Sequence, residues 1–121
     1  MKEILNRLNK NPTYEDYREC RYQLISLAEN IAIIDIEIAS KKEELKIKEA
    51  ERVAELKSDG VKRTIKDIES IITQETKNQK QEIINLQAEN TKNKARYEAV
   101  DKFLKAVDSS LYYLNNQKND I

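Results

Sequence analysis

Lys57, Lys62, Arg63 and Lys66 crowd the single glycine of the chain, Gly60, in the stretch SDGVKRTIKD, and Lys77 and Lys80 follow shortly after. Clustered cations on a short segment are the residue type that attracts phosphate, because a polyanion releases condensed counterions when lysine or arginine neutralises it. On one copy the same cluster also fits a solvated helix face. Several such turns side by side would add their fields and attract a polyanion with marked salt dependence.

Other chemistries find little support. The chain has no histidine and one cysteine, Cys20, so histidine acid–base catalysis, most zinc sites and an internal disulfide are all excluded. The carboxylates Glu43, Glu44, Glu49 and Glu51 sit among Lys46, Lys48 and Glu55 with no pocket in prospect, and pairing along a helix surface accounts for them. Glycine-rich phosphate loops and nucleophile signatures are absent. The expectation is therefore no enzyme, no catalytic residues, no metal, no cofactor and no small-molecule substrate.

Charge is balanced overall, with 22 basic and 22 acidic residues, which counts against a strong nucleic-acid binder acting as a monomer. It is unevenly distributed. Residues 41 to 96 carry fourteen basic and eleven acidic side chains, a net +3, and the remainder is −3. Tyr14, Tyr17, Tyr22, Tyr97, Tyr112 and Tyr113 could stack on single-stranded bases, but they lie toward the two chain ends, away from the basic turn. Core packing is the role predicted for most of them.

The elements that must position these residues follow from the breakers. With 36% charged residues, one glycine and one proline among 121 positions, the chain reads as all-α. Residues 1 to 12 form a short N-terminal helix, with Ile4, Leu5 and Leu8 on one face, and a break at Asn11-Pro12. Thr13, three residues before Asp16, opens a second helix of roughly 44 residues, about 65 Å at 1.5 Å per residue. Gly60 can take the left-handed conformation that ends a helix, and Thr64, with Asp67 three residues on, caps a third helix running without interruption to about Lys118.

Both long helices carry apolar seams at three- and four-residue spacing. On the first these are Tyr17, Cys20, Leu24, Leu27, Ile31, Ile34, Ile38 and Leu45, broken at Lys41; on the second, Ile68, Ile72, Thr76, Gln79, Ile83, Leu86, Tyr97, Val100, Leu104, Val107, Leu111 and Leu114, broken at Asn90 and Asn93. Residues 13 to 121 are thus predicted to form a long antiparallel helical hairpin, a coiled coil, with its turn near residues 58 to 64. Folding back at Gly60 sets Lys41 and Lys42 opposite Gln79 and Leu45 opposite Thr76. Asn90 and Asn93 would face Ile31, Leu27 or Ala28, and are expected to bond across a subunit interface or to fix register.

A second apolar stripe lies beside the first. Tyr22, Ile25, Ala32, Ile33, Ile36 and Ala39 form it on one arm and Ala99, Phe103, Ala106 and Tyr113 on the other. One hairpin buries one seam per arm, so the N-terminal helix or a homo-oligomer must cover the remainder. The predicted interface is Tyr22, Ile25, Ile33, Ile36, Phe103 and Tyr113, and the hairpins assemble into a helical bundle.

The stretch IKEAERVAELKSDGVKRTIKDIESII, residues 47 to 72, resembles small helical proteins from the early, recombination region of bacteriophage genomes. The shared plan is a helix with an E-A-x-x-x-A run (Glu49, Ala50, Ala54), a short glycine-containing turn, a Thr or Ser opening the next helix, and a long return ending in apolar heptads. Among them are the UvsY-type recombination mediators of T-even phages. This resemblance implies an oligomeric accessory factor that binds single-stranded DNA and helps a recombinase displace a single-strand-binding protein.

Two functions therefore stand as expectations. One is a phage-type recombination or replication accessory protein that binds single strands through Lys57, Lys62, Arg63, Lys66, Lys77 and Lys80. The other is a coiled-coil interaction module or inhibitor that covers a host protein with the Tyr22, Ile25, Ile33 and Ile36 stripe and binds no nucleic acid. With no signal peptide or membrane span in view, the expected location is cytoplasmic, that of the host cell if the chain is phage-encoded.

Overall fold

The computed structural model describes residues 14 to 119, with side chains as far as residue 109. Among these residues every regular element is a helix: α1 (Tyr14–Ser58), α2 (Ile65–Glu75) and α3 (Lys77–Asn119). The N-terminal helix expected over residues 1 to 12 and the Thr13 cap lie outside the described residues, as do the side chains of Leu111, Tyr113 and Leu114. No helix among the described residues is long and apolar enough to cross a membrane.

α1 runs for 45 residues because nothing in it breaks the ladder. Glu15 and Asp16 in its first turn and Lys57 in its last complement the helix dipole. Gly60 then adopts φ 79°, a left-handed conformation costly for any residue with a Cβ. Asp59 Oδ1 accepts the Val61 backbone N–H at 3.0 Å, an Asx turn that closes the loop locally. Thr64 starts α2 with a capping box: Asp67 N–H donates to Thr64 Oγ1 at 3.2 Å, and Thr64 N–H donates to Asp67 Oδ2 at 3.0 Å.

The return helix is not continuous. α2 ends at Glu75 and α3 begins at Lys77, with Thr76 at φ −102°, ψ 5°. Thr76 is buried, and its hydroxyl donates to the Ile72 carbonyl at 2.7 Å, the back-bonding that bends helices. Backbone bonds from Thr76 N to Ile72 O and from Lys80 N to Thr76 O carry the ladder across the interruption. A sequence scan for glycine and proline passes over such a site, because the distortion comes from a hydroxyl competing with the backbone.

Two compact bodies share α1 and α3. The body Ala32–Asn90 contains the turn. Here Leu56, Ile68 and Ile72 form a core with Val53 and Ile71 packed against it. Each fully buried aliphatic side chain contributes about 1.5–3 kcal/mol. Ion pairs lace the two arms antiparallel: Arg52 Nε and Nη2 donate to the two Glu75 oxygens at 2.8 and 2.9 Å, Lys80 Nζ lies 3.6 Å from Glu49, and Lys41 Nζ meets Glu82 at 2.7 Å.

Lys41 meets Glu82 across the arms, and the two line with Leu45, Gln79 and Ile83 a cleft of about 150 Å³, so Lys41 and Gln79 share one groove as expected, whereas Thr76 lines a separate cleft with Lys48 and Arg52. Asn90, buried at 3% exposure, donates through Nδ2 to Asp35 Oδ1 at 2.6 Å. Of the two roles expected for it, this bond to the facing arm of its own chain is of the kind that ties the register of the two arms.

The second body comprises the described parts of Met1–Ile31 and Thr91–Ile121. Cys20, Val100 and Leu104 form its core, with Tyr17, Leu24 and Phe103 packed against them. Tyr17 donates its hydroxyl to Asp108, Arg21 donates to the Tyr17 oxygen at 3.1 Å, and the Arg21 guanidinium lies 4.8 Å from the Tyr17 ring centre. Tyr17 is thus a packed residue, whereas Tyr14 and Tyr22 are exposed.

Candidate functional site

The turn of the Ala32–Asn90 body presents the basic cluster, and its members differ in what holds them. Lys57 lies in the last turn of α1, Lys62 in the loop and Lys66 in the first turn of α2; all three are exposed and make no ion pair. Lys77, at the start of α3, is exposed in the same way.

Arg63 is different. Its Nη1 donates to the Leu56 carbonyl at 2.9 Å and to the two Asp59 carboxylate oxygens at 2.7 and 2.6 Å, and its side chain is only 20% exposed. The guanidinium satisfies a carbonyl orphaned at the end of α1 and neutralises the one acid of the loop. Lys80 is likewise engaged, with Glu49. Of the six cations expected to touch phosphate, four are uncommitted and two brace the hairpin.

With Asp59 bound by Arg63, the three lysines around Gly60 make no ion pair. The Arg63 guanidinium, with the Val61 N–H, holds the Asp59 carboxyl below its ordinary range. Hydrogen bonds from the Thr64 backbone and hydroxyl do the same for Asp67, and Arg52 does so for Glu75. Asp59, Asp67 and Glu75 are thus tied into the fold, and Arg52 in turn is held more firmly protonated by Glu75 and Glu55. Sequence reasoning missed this sorting of charges. The i, i+4 spacing of Asp59 and Arg63 was a usable signal, but the Leu56 carbonyl was not.

The apolar surface divides between the bodies. Tyr22 and Ile25 are exposed in one body, and Ile33 and Ile36 in the other, where Ile47, Val61, Ile65 and Ile84 are exposed as well. Phe103, expected on the outward stripe, instead packs half-buried against the Cys20, Val100 and Leu104 core, because an aromatic ring reaches inward from a flanking helical position. Tyr113 lies outside the described side chains.

Cys20 is buried to 2% exposure, and burial, reinforced by Glu19 and Asp16, pushes its thiol up from its ordinary value. This leaves it a packing residue with no thiolate character at neutral pH. Among the described residues no group of histidine, cysteine and carboxylate side chains is arranged to hold a metal ion.

Compared with known protein families, curated proteins and solved structures, the chain finds no match.

Proposed function

We propose that this protein is a self-associating, helical accessory factor that binds single-stranded nucleic acid through the lysines of its turn. The observation that carries this reading is the sorting of charge around Gly60. Lys57, Lys62 and Lys66 project without acidic partners while Asp59 and Asp67 are engaged. The resemblance of residues 47 to 72 to phage recombination mediators supplies the context of recombination or replication, with a recombinase or single-strand-binding protein as second partner. Contact is electrostatic and independent of base sequence, since no exposed aromatic accompanies the lysines.

Fluorescence anisotropy of an oligonucleotide of arbitrary sequence, titrated with the full chain at low salt, tests this. Three phosphates engaged per turn give a log–log salt slope of about −2 for single strands. The triple variant Lys57→Glu, Lys62→Glu, Lys66→Glu is expected to abolish binding with helix content unchanged. Absence of binding by the assembled wild-type protein at low salt would defeat the reading.

A second reading, a coiled-coil interaction module or inhibitor that covers a host protein, is favoured by the exposure of Tyr22, Ile25, Ile33 and Ile36. Recovery of one protein partner irrespective of nuclease treatment, lost in Ile33→Glu and Ile36→Glu variants, would favour it.

A further inference from the structure

On the outward face of α1, within the body Ala32–Asn90, runs a second apolar row: Ala32, Ile36, Ala39, Ile47, Ala50 and Ala54. All are exposed, Ile36 at 71% and Ile47 at 52%, and they lie opposite the seam on which Ile34 and Leu56 are buried. With Glu43 included, the intervals are four, three and four residues, repeated twice. An eleven-residue period of this kind is 3.67 residues per turn, so close to the helix's own that the row stays on one face. A row of this regularity, left in water on a helix that already has a partner on its other side, is the signature of a second helix–helix contact.

The charges beside the row identify the occupant. Glu44 and Glu51 lie along one flank, and Lys42 and Lys46 along the other. The acids on the basic side, Asp35 and Glu49, are turned to the returning arm, where they meet Asn90 and Lys80. A helix with one acidic and one basic flank complements itself. Two copies laid parallel bring the acidic flank of each against the basic flank of the other, whereas two antiparallel copies bring like flanks together.

We propose that this face binds a second copy of the chain with the two α1 helices parallel and in register. Ile36 and Ile47 meet their counterparts, and Glu43 meets its own copy in the middle of the row. A single polar residue in such a row lowers affinity and fixes register, since any slip would set a carboxylate against isoleucine or alanine. Both basic turns then point the same way, and their lysine fields add. The proposal deepens the self-association in the reading above and rests on it, but needs no nucleic acid.

Sedimentation and cysteine cross-linking of the full chain test it. Ala32→Cys and Ala50→Cys, made separately, are each expected to yield a covalent dimer on oxidation, with the wild type, whose Cys20 is buried, as control. An antiparallel pair has a single crossing point, so only a parallel pair lets both positions meet themselves. Ile36→Glu is expected to dissociate the dimer with helix content preserved, and Glu43→Leu to tighten it about tenfold or more by removing a like-charge pair from a desolvated row. Association with cross-linking at neither or only one position would overturn the parallel pairing and leave self-association standing. A wild-type chain that stays monomeric at the highest attainable concentration would overturn both.

Discussion

Arg63 donates from Nη1 to the Leu56 carbonyl oxygen at 2.9 Å, reaching back seven residues to close the end of α1. This places a structural cation at the centre of a basic cluster. Affinity and stability should therefore separate within that cluster. Arg63→Ala is expected to cost about 1–2 kcal/mol of stability through the abandoned carbonyl, read as a lowered urea midpoint, with a small effect on polyanion binding. Lys62→Ala should show the reverse: an unchanged midpoint and weaker binding. Equal loss of binding in both variants would contradict this division.

Gly60 and Thr64 make the reversal possible by different means. Nothing lies within 4 Å of a Cβ added at Gly60, so Gly60→Ala has only the left-handed backbone to contend with, at about 1–2 kcal/mol. Thr64→Ala removes the capping box for about 1 kcal/mol, while Thr64→Ser keeps it. Equilibrium unfolding followed by circular dichroism checks the order Ser milder than Ala. An Ala substitution at position 60 that left stability unchanged would show that the turn does not need a positive φ.

Acid should loosen the turn in a defined window. Asp59, Asp67 and Glu75 all have pKa values lowered in the fold from ordinary values of 3.8, 3.8 and 4.5. The unfolded chain therefore takes up protons at a higher pH than the folded one. The stability from these groups is complete above the unfolded values and declines as pH falls through the lower folded values. The urea midpoint is expected to fall from pH 5 downward, less steeply in Asp59→Asn and Glu75→Gln variants, whose starting midpoints are lower. All three groups are exposed, so added salt should shrink the effect. A midpoint that rose on acidification would refute the assignment.

Much of this architecture is legible in the residue order. Helix boundaries at Ser58 and Thr64, the glycine turn and the capping pair Thr64 and Asp67 depend on groups three or four positions apart, and interactions of that range are written directly in residue order. The seams were legible for the same reason. Cys20, Leu27, Ile34, Ile68, Ile72, Ile83, Val100 and Leu104 are all buried, as periodicity requires. Exposure of Tyr22, Ile25, Ile33 and Ile36 follows from the same geometry, since a helix that buries one face in a hairpin leaves the other outside.

What residue order left open are the partners across the fold. Asn90 finds Asp35, Lys41 finds Glu82 and Arg52 finds Glu75 only once the two arms have settled their register, and a shift of one turn changes every such pair. Phe103 packs inward because of what surrounds it, not because of its own propensity. Local structure answers to short-range sterics and hydrogen bonding, but the role of a long charged or aromatic side chain depends on which atoms packing brings within its reach. That is why the lysines around Gly60 and the arginine beside them, alike in sequence, ended in opposite roles.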